Sequence, residues 1–153
     1  MVANRKPIPS EADITRLTGH NFPGGFYTVA HWENFLLTEC TGAALLPDGL
    51  VHPVALFHIP IVGAGTSIAE MFALGQAESD LSIMIESYDW EIFVALREET
   101  RYAINGSIIS ANRCRNEQGN LYDRIQFCFE IHTPDHGLAA RVTMTWHYTR
   151  NML

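Results

Sequence analysis

The sequence predicts one α+β domain in which a long central helix is wrapped by a curved antiparallel sheet, and three observations carry that prediction. An uncharged stretch from Gly49 to Ala69 leads into apolar residues that cover nearly every side of a helix, a pattern suited to an enclosed element. From Leu81 onward the apolar period changes from helical to two, over four successive runs. The chain has 153 residues, 47% hydrophobic and 18% charged, enough to bury one core and too apolar for disorder.

Taken in order, Phe26 to Ala30 reads as a short strand and His31 to Cys40 as a short helix that buries Trp32, Phe35 and Leu36, with Gly42 just past its end. Ala43 to Gly49, with Pro47 and Asp48, reads as a loop. Pro53 suits a first helical turn, whereas Pro60 kinks the helix or marks a second start, so the secure part is Ile61 to Leu74. The strands follow at Leu81 to Tyr88, Thr100 to Ala111, Leu121 to Ile131 and Leu138 to Thr149. Gly106 weakens the second and marks a bulge or a close approach. The third places Leu121, Ile125, Phe127, Phe129 and Ile131 on one face, with Asp123 as the exception. Turn residues at Arg115 to Asn120 and Thr133 to Gly137 join neighbours antiparallel.

Composition excludes several functions. Ten basic against 17 acidic side chains give a formal charge of −7, which disfavours nucleic acid as a partner. The seven basic residues after residue 96 leave room for a small anion on the second half. Lys6 is the single lysine and sits in a polar segment, which sets Schiff-base chemistry aside. Cys40, Cys114 and Cys128 are widely spaced, fitting a reducing compartment. Met1 to Ser10 lacks an apolar stretch, so a cytoplasmic location is expected. His52, His58, Pro53 and Pro60 interrupt the uncharged segment and argue against a membrane span.

Four segments resemble one family. They are Trp32-Glu33-Asn34-Phe35 through Cys40-Thr41-Gly42, Gly49-Leu50-Val51-His52-Pro53, Leu96-Arg97-Glu98-Glu99 into Thr100, and Ala139-Ala140-Arg141-Val142 through Trp146. Together, from Phe26 to Arg150, they are similar to the MaoC-like hydratases and dehydratases, whose domain is the hotdog fold of the fatty acid synthase dehydratase. The resemblance implies a hotdog domain at residues 21–153 behind an N-terminal extension at 1–20. It also implies an acyl-CoA or acyl-carrier thioester as substrate, no cofactor, and pairing as a homodimer or with another hotdog chain. In active members an Asp and a His share one water, and backbone amides at the helix start polarise the thioester carbonyl. Here the loop after Thr41-Gly42 is short, and the nearest pair is Asp48 and His52. A chain without the dyad resembles the pseudo-catalytic halves that complete a partner's site.

The candidate catalytic residues are therefore His52, Asp48 and Glu70. His52 either caps the helix or faces the thioester. Glu70 is the only charge within the presumed central helix, where some hotdog thioesterases place a catalytic carboxylate; a solvent-facing position is the alternative, and Glu39 is a weaker candidate of the same kind. Substrate-binding candidates are His58, Gly63 and Gly65 in the helix segment, with Arg113 and Arg115 for a coenzyme A phosphate. For His58 the ordinary alternative is a core histidine bonded to a backbone carbonyl. For the arginines, including Arg124 and Arg141, it is a solvated strand face. Neither His52 with His58 nor His132 with Asp135 and His136 has a third ligand at metal-site spacing, so no metal is expected.

Overall fold

A computed structural model describes residues 6–150. The termini at 1–5 and 151–153, including the start of the expected extension, lie outside the described residues. The elements are α1 (Glu11–Thr15), β1 (Gly25–Thr28), α2 (His31–Cys40), α3 (Ile59–Gly63), α4 (Ile68–Leu74), β2 (Ile83–Ile92), β3 (Arg101–Arg115), β4 (Leu121–His132) and β5 (Leu138–Thr149), with 3₁₀ turns at Pro47–Gly49, Pro53–Phe57 and Asp80–Ser82.

All five strands form one sheet in the order β1-β3-β4-β5-β2, with every neighbouring pair antiparallel. Period-two patterning sets the faces. Ile125, Phe127, Phe129 and Ile131 of β4 lie against Val142, Met144 and Trp146 of β5 in a shared core. Gly106 is a close approach, because a Cβ there would stand 2.4 Å from Phe129 Cδ1. The bulge in β3 falls slightly later, between Ile108 and Ser110.

The expected continuous helix is instead two short ones. After Val62 the chain takes a Schellman ending: Thr66 N–H bonds Ile61 O, Gly65 N–H bonds Val62 O, and Gly65 adopts φ +75°. Ser67 then starts α4 by accepting from Glu70 N–H. Pro60 lies at the first turn of α3, so it marks a second start and not a kink. Ile59, Pro60, Ile61 and Gly63 are buried against the sheet, whereas α4 buries Met71 and leaves Ile68 exposed. Tyr148 OH donates to Met71 O at 2.7 Å and ties α4 to β5. No described helix is long and apolar enough to cross a membrane.

One further expectation is corrected. Helix α2 has the expected bounds but the opposite orientation: Trp32 is 66% exposed, Phe35 and Leu36 are also exposed, and Asn34 and Thr38 are buried. The reason is hydrogen bonding, since Asn34 serves the Leu50–His52 backbone and Thr38 Oγ1 donates to Asn34 O. Residues 9–20 of the extension are docked on the sheet. Ile14 is fully buried, Gly19 N–H donates to Ile108 O, and Pro9 O accepts from Arg113.

Candidate functional site

The turn Pro53–Phe57 carries one of the two histidines of interest at each end. His52 precedes it as the N-cap, its Nδ1 accepting from Val54 N–H at 3.0 Å. With Nδ1 occupied as an acceptor, the neutral ring carries its proton on Nε2. Asn34 fixes the preceding backbone, its Oδ1 accepting from His52 N–H at 3.0 Å and its Nδ2 donating to Leu50 O at 3.0 Å. The same amide donates to Glu98 at 2.7 Å, and His31 Nδ1 lies 2.9 Å from the other Glu98 oxygen. These bonds, Asn34's first, hold the Glu98 carboxyl below the usual carboxylate range.

Behind His52 lies a slot of about 100 Å³, walled by apolar residues including Leu50, Val51, Leu56, Ile92, Leu96 and Ala140. Among the described residues, His52 is the sole polar side chain on its wall. Its walls come from the turn, from β2 and β5, and from the chain before β3, where Val51 N–H bonds Leu96 O. A wider groove of about 570 Å³ lies between β2 and the β3–β4 turn. Its charged groups are already paired, Glu86 binding both Arg124 and His147.

At the other end of the turn, His58 Nε2 stands 3.0 Å from Glu33 Oε1. Tyr27 OH donates to the same oxygen at 2.6 Å. Burial, and then the Glu33 carboxylate, push the Tyr27 phenol up to about 12. Strand β1, helix α2 and the start of α3 thus converge on one carboxylate. The sequence pattern gives Glu33 and Tyr27 no role, and offers His58 as a substrate-binding residue or as a core histidine bonded to a backbone carbonyl. The separation of 25 positions between Glu33 and His58 carries no periodic signal.

The remaining candidates are dispersed. Asp48 is exposed in its 3₁₀ turn at φ 57°, its carbonyl accepting from Arg97, and no hydrogen bond joins its carboxylate to His52. Glu70 is exposed on α4, accepts from Thr66 Oγ1 at 3.0 Å, and borders a separate open groove with His20 and Phe22. Gly63 packs the core, since a Cβ there would stand 2.4 Å from Ile104 Cδ1. Gly65 ends α3. Arg113 is committed to Asp123 through two bonds of 2.8 and 3.0 Å and to Pro9 O. Arg115 binds Gly119 O within the β3–β4 turn. Glu39 is exposed on α2.

No protein-family model matches the chain, and no curated protein matches it in sequence. Solved structures do match in three dimensions. The ChsH1-ChsH2 complex of Mycobacterium tuberculosis superposes with a TM-score of 0.68 at 10% identity, over 93% of this chain and 90% of that one. The HadBC (3R-hydroxyacyl-ACP dehydratase) complex of the same organism gives 0.64 at 12% identity, over 88% and 98%. A thioesterase complexed with coenzyme A and Zn from Thermus thermophilus gives 0.53 at 9% identity, over 85% and 82%. The chain has the hotdog fold. At these identities the likeness defines the hotdog architecture, and the chemistry has to come from the residues described above.

Proposed function

We propose that this hotdog chain acts on acyl thioesters of coenzyme A or a carrier protein, adding water to an α,β double bond or removing it. The observation that carries this reading is the apolar slot with a single polar group, His52, on its wall. An acyl chain gains from leaving water for such a slot, while a thioester carbonyl near its mouth meets a donor, His52 Nε2–H. Because Val54 N–H occupies Nδ1, His52 is suited to stabilise developing enolate charge rather than to accept a proton. The fold is compatible with the reading, since structural neighbours include a 3R-hydroxyacyl-ACP dehydratase complex and a thioesterase holding coenzyme A.

A second reading is a subunit that binds the acyl chain while another hotdog chain supplies the catalytic dyad. It is favoured by the absence of a hydrogen bond between the Asp48 and His52 side chains, and by the apolar residues left open on α2 and along the edge strand β2, among them Trp32, Phe35, Met84 and Ile92. Two of the structural neighbours are themselves complexes. A partner hotdog chain, or a second copy, would cover such a face and edge.

Incubation of the purified chain with a short trans-2-enoyl-CoA tests both. Loss of the conjugated-thioester absorbance supports hydration by this chain alone. Silence that is relieved by adding a second hotdog protein supports the subunit reading. Release of free thiol in place of hydration would assign thioesterase chemistry and overturn both.

A further inference from the structure

We infer that His58, Glu33 and Tyr27 form a proton-transfer site in which His58 Nδ1 is the base presented to an acyl thioester. The thioester as substrate rests on the reading above; the base itself rests on geometry alone.

A carboxylate oxygen offers only acceptor capacity. Glu33 Oε1 already accepts from Tyr27 OH at 2.6 Å, so its 3.0 Å bond to His58 is made by Nε2–H. The His58 lone pair is therefore left on Nδ1, which has no partner among the described residues. The side chain of His58 is 39% exposed while that of Glu33 is 13% exposed, so the carboxylate is sheltered and the basic nitrogen is reachable. Glu33 lies in the first turn of α2, where the helix dipole favours a negative charge. The raised Tyr27 phenol stays protonated and keeps donating at neutral pH. This is the arrangement that orients an imidazole and stabilises its cation in nucleophilic and acid/base sites.

The two ends of the Pro53–Phe57 turn thus hold histidines in the same Nε2–H tautomer, with opposite nitrogens left open. His52 presents Nε2–H and has its other nitrogen occupied; His58 presents a lone pair and has its other nitrogen occupied. Adjacent residues of α2 hold them, Asn34 bonding the His52 backbone and Glu33 bonding the His58 ring. Phe57 and Val62, both exposed, flank His58 with apolar surface.

In the hydration direction, His58 Nδ1 takes a proton from water as the water oxygen bonds to the β-carbon of an enoyl thioester. The π electrons move onto the thioester oxygen as an enolate. The imidazolium, held by Glu33, then gives the proton to the α-carbon, leaving a 3-hydroxyacyl thioester and a neutral ring. Dehydration is the reverse, and no redox partner is needed. His58 is the catalytic residue; Glu33 and Tyr27 are positioning residues.

The test has a substrate-free arm and a substrate arm. In the first, ¹⁵N NMR of the histidine rings and mapped acylation by diethyl pyrocarbonate are compared for the wild type, Glu33→Gln and Tyr27→Phe. A pyridine-like Nδ1 on His58 and selective acylation there, both lost in Glu33→Gln, support the site. A wild-type ring protonated on Nδ1 overturns it. In the second arm, His58→Asn lowers kcat for hydration of a short enoyl-CoA about 10²- to 10⁴-fold with KM and melting temperature little changed. Unchanged turnover in that variant overturns the catalytic role. If the wild type leaves the enoyl-CoA untouched, alone and with a second hotdog chain, while the first arm gives the expected tautomer and acylation, the thioester reading fails and the base site stands.

Discussion

Asp123 and Glu33 each gather two side-chain partners, and they use them to opposite ends. Asp123, at the start of β4, is fully buried and bound by Arg113 and Arg150. The guanidiniums have further work: Arg113 bonds Pro9 O, and Arg150 bonds Gly75 O and Gln76 O at 2.6 and 2.7 Å. The cluster fastens the N-terminal segment, the end of α4 and the last strand together, and both carboxylate oxygens are engaged. Glu33 is sheltered but its partner His58 keeps one nitrogen open. The comparison separates a polar cluster that closes on itself, which is structural, from one that leaves a directed lone pair, which can do chemistry.

The largest expected effect comes from breaking the closed cluster. Asp123→Ala leaves two arginines without their counter-ion in the core and costs about 3 to 5 kcal/mol, read as a lower midpoint in urea unfolding. The His58 tautomer in the folded fraction stays as it is. A loss below about 1 kcal/mol, the range of surface pairs, would show that the cluster is not the fastening described.

His58→Asn gives the opposite profile. The pair with Glu33 is partly solvated, so its contribution to stability falls within about 0 to 1 kcal/mol, while the rate arm described above carries the loss. A variant that unfolds as readily as Asp123→Ala would move Glu33 and His58 into the structural class.

The sheet was legible because alternation and turn residues agree along it: β5 keeps the expected bounds Leu138 to Thr149, and β4 runs one residue longer than expected, to His132. Even the exception was visible, since Asp123 stood out on the apolar face of β4. Its partners were not, because Arg113 and Arg150 reach it through the fold. Helix α2 shows where patterning misleads. Its Trp32, Phe35 and Leu36 suggested an inward face, yet Asn34 is drawn inside by the three backbone and side-chain groups that it satisfies. The central helix failed as one unit because Gly65, offered as a substrate-binding candidate, encodes a helix stop, and Ser67 encodes a helix start. In the candidate site, the cap role of His52 was among the readings its position before Pro53 suggested. The Tyr27–Glu33–His58 convergence depends on β1, α2 and α3 meeting in space, which no local pattern reports.

His52→Ala lies between the two extremes. Loss of the N-cap bond to Val54 N–H costs about 0.5 to 2 kcal/mol, measurable by thermal unfolding. If His52 also polarises the thioester carbonyl, turnover falls with it, by about 10² to 10³ when an oxyanion donor is removed. His52→Asn restores the cap without the same reach. Recovery of stability without recovery of rate would separate the two roles, and recovery of both would reduce His52 to a cap.

The smallest effect comes from a third carboxylate, which tests whether two partners alone make a cluster structural. Glu86 on β2 accepts two bonds from Arg124, at 2.7 and 2.8 Å, and one from His147 at 2.6 Å, yet its side chain is 37% exposed. The Arg124 bonds first, and then His147, lower its carboxyl from 4.5 to about 2. A carboxyl depressed in the folded chain stabilises it above the unfolded value, so the contribution is present above about 4.5 and disappears as pH falls toward about 2. Solvent screens an exposed network, and salt weakens it further. Glu86→Gln should therefore flatten the acid limb of the stability profile between those values and leave stability at pH 7 only slightly lower. An acid limb unchanged by Glu86→Gln would show that this exposed network adds nothing to stability, and burial rather than partner number would then mark the structural clusters of this fold.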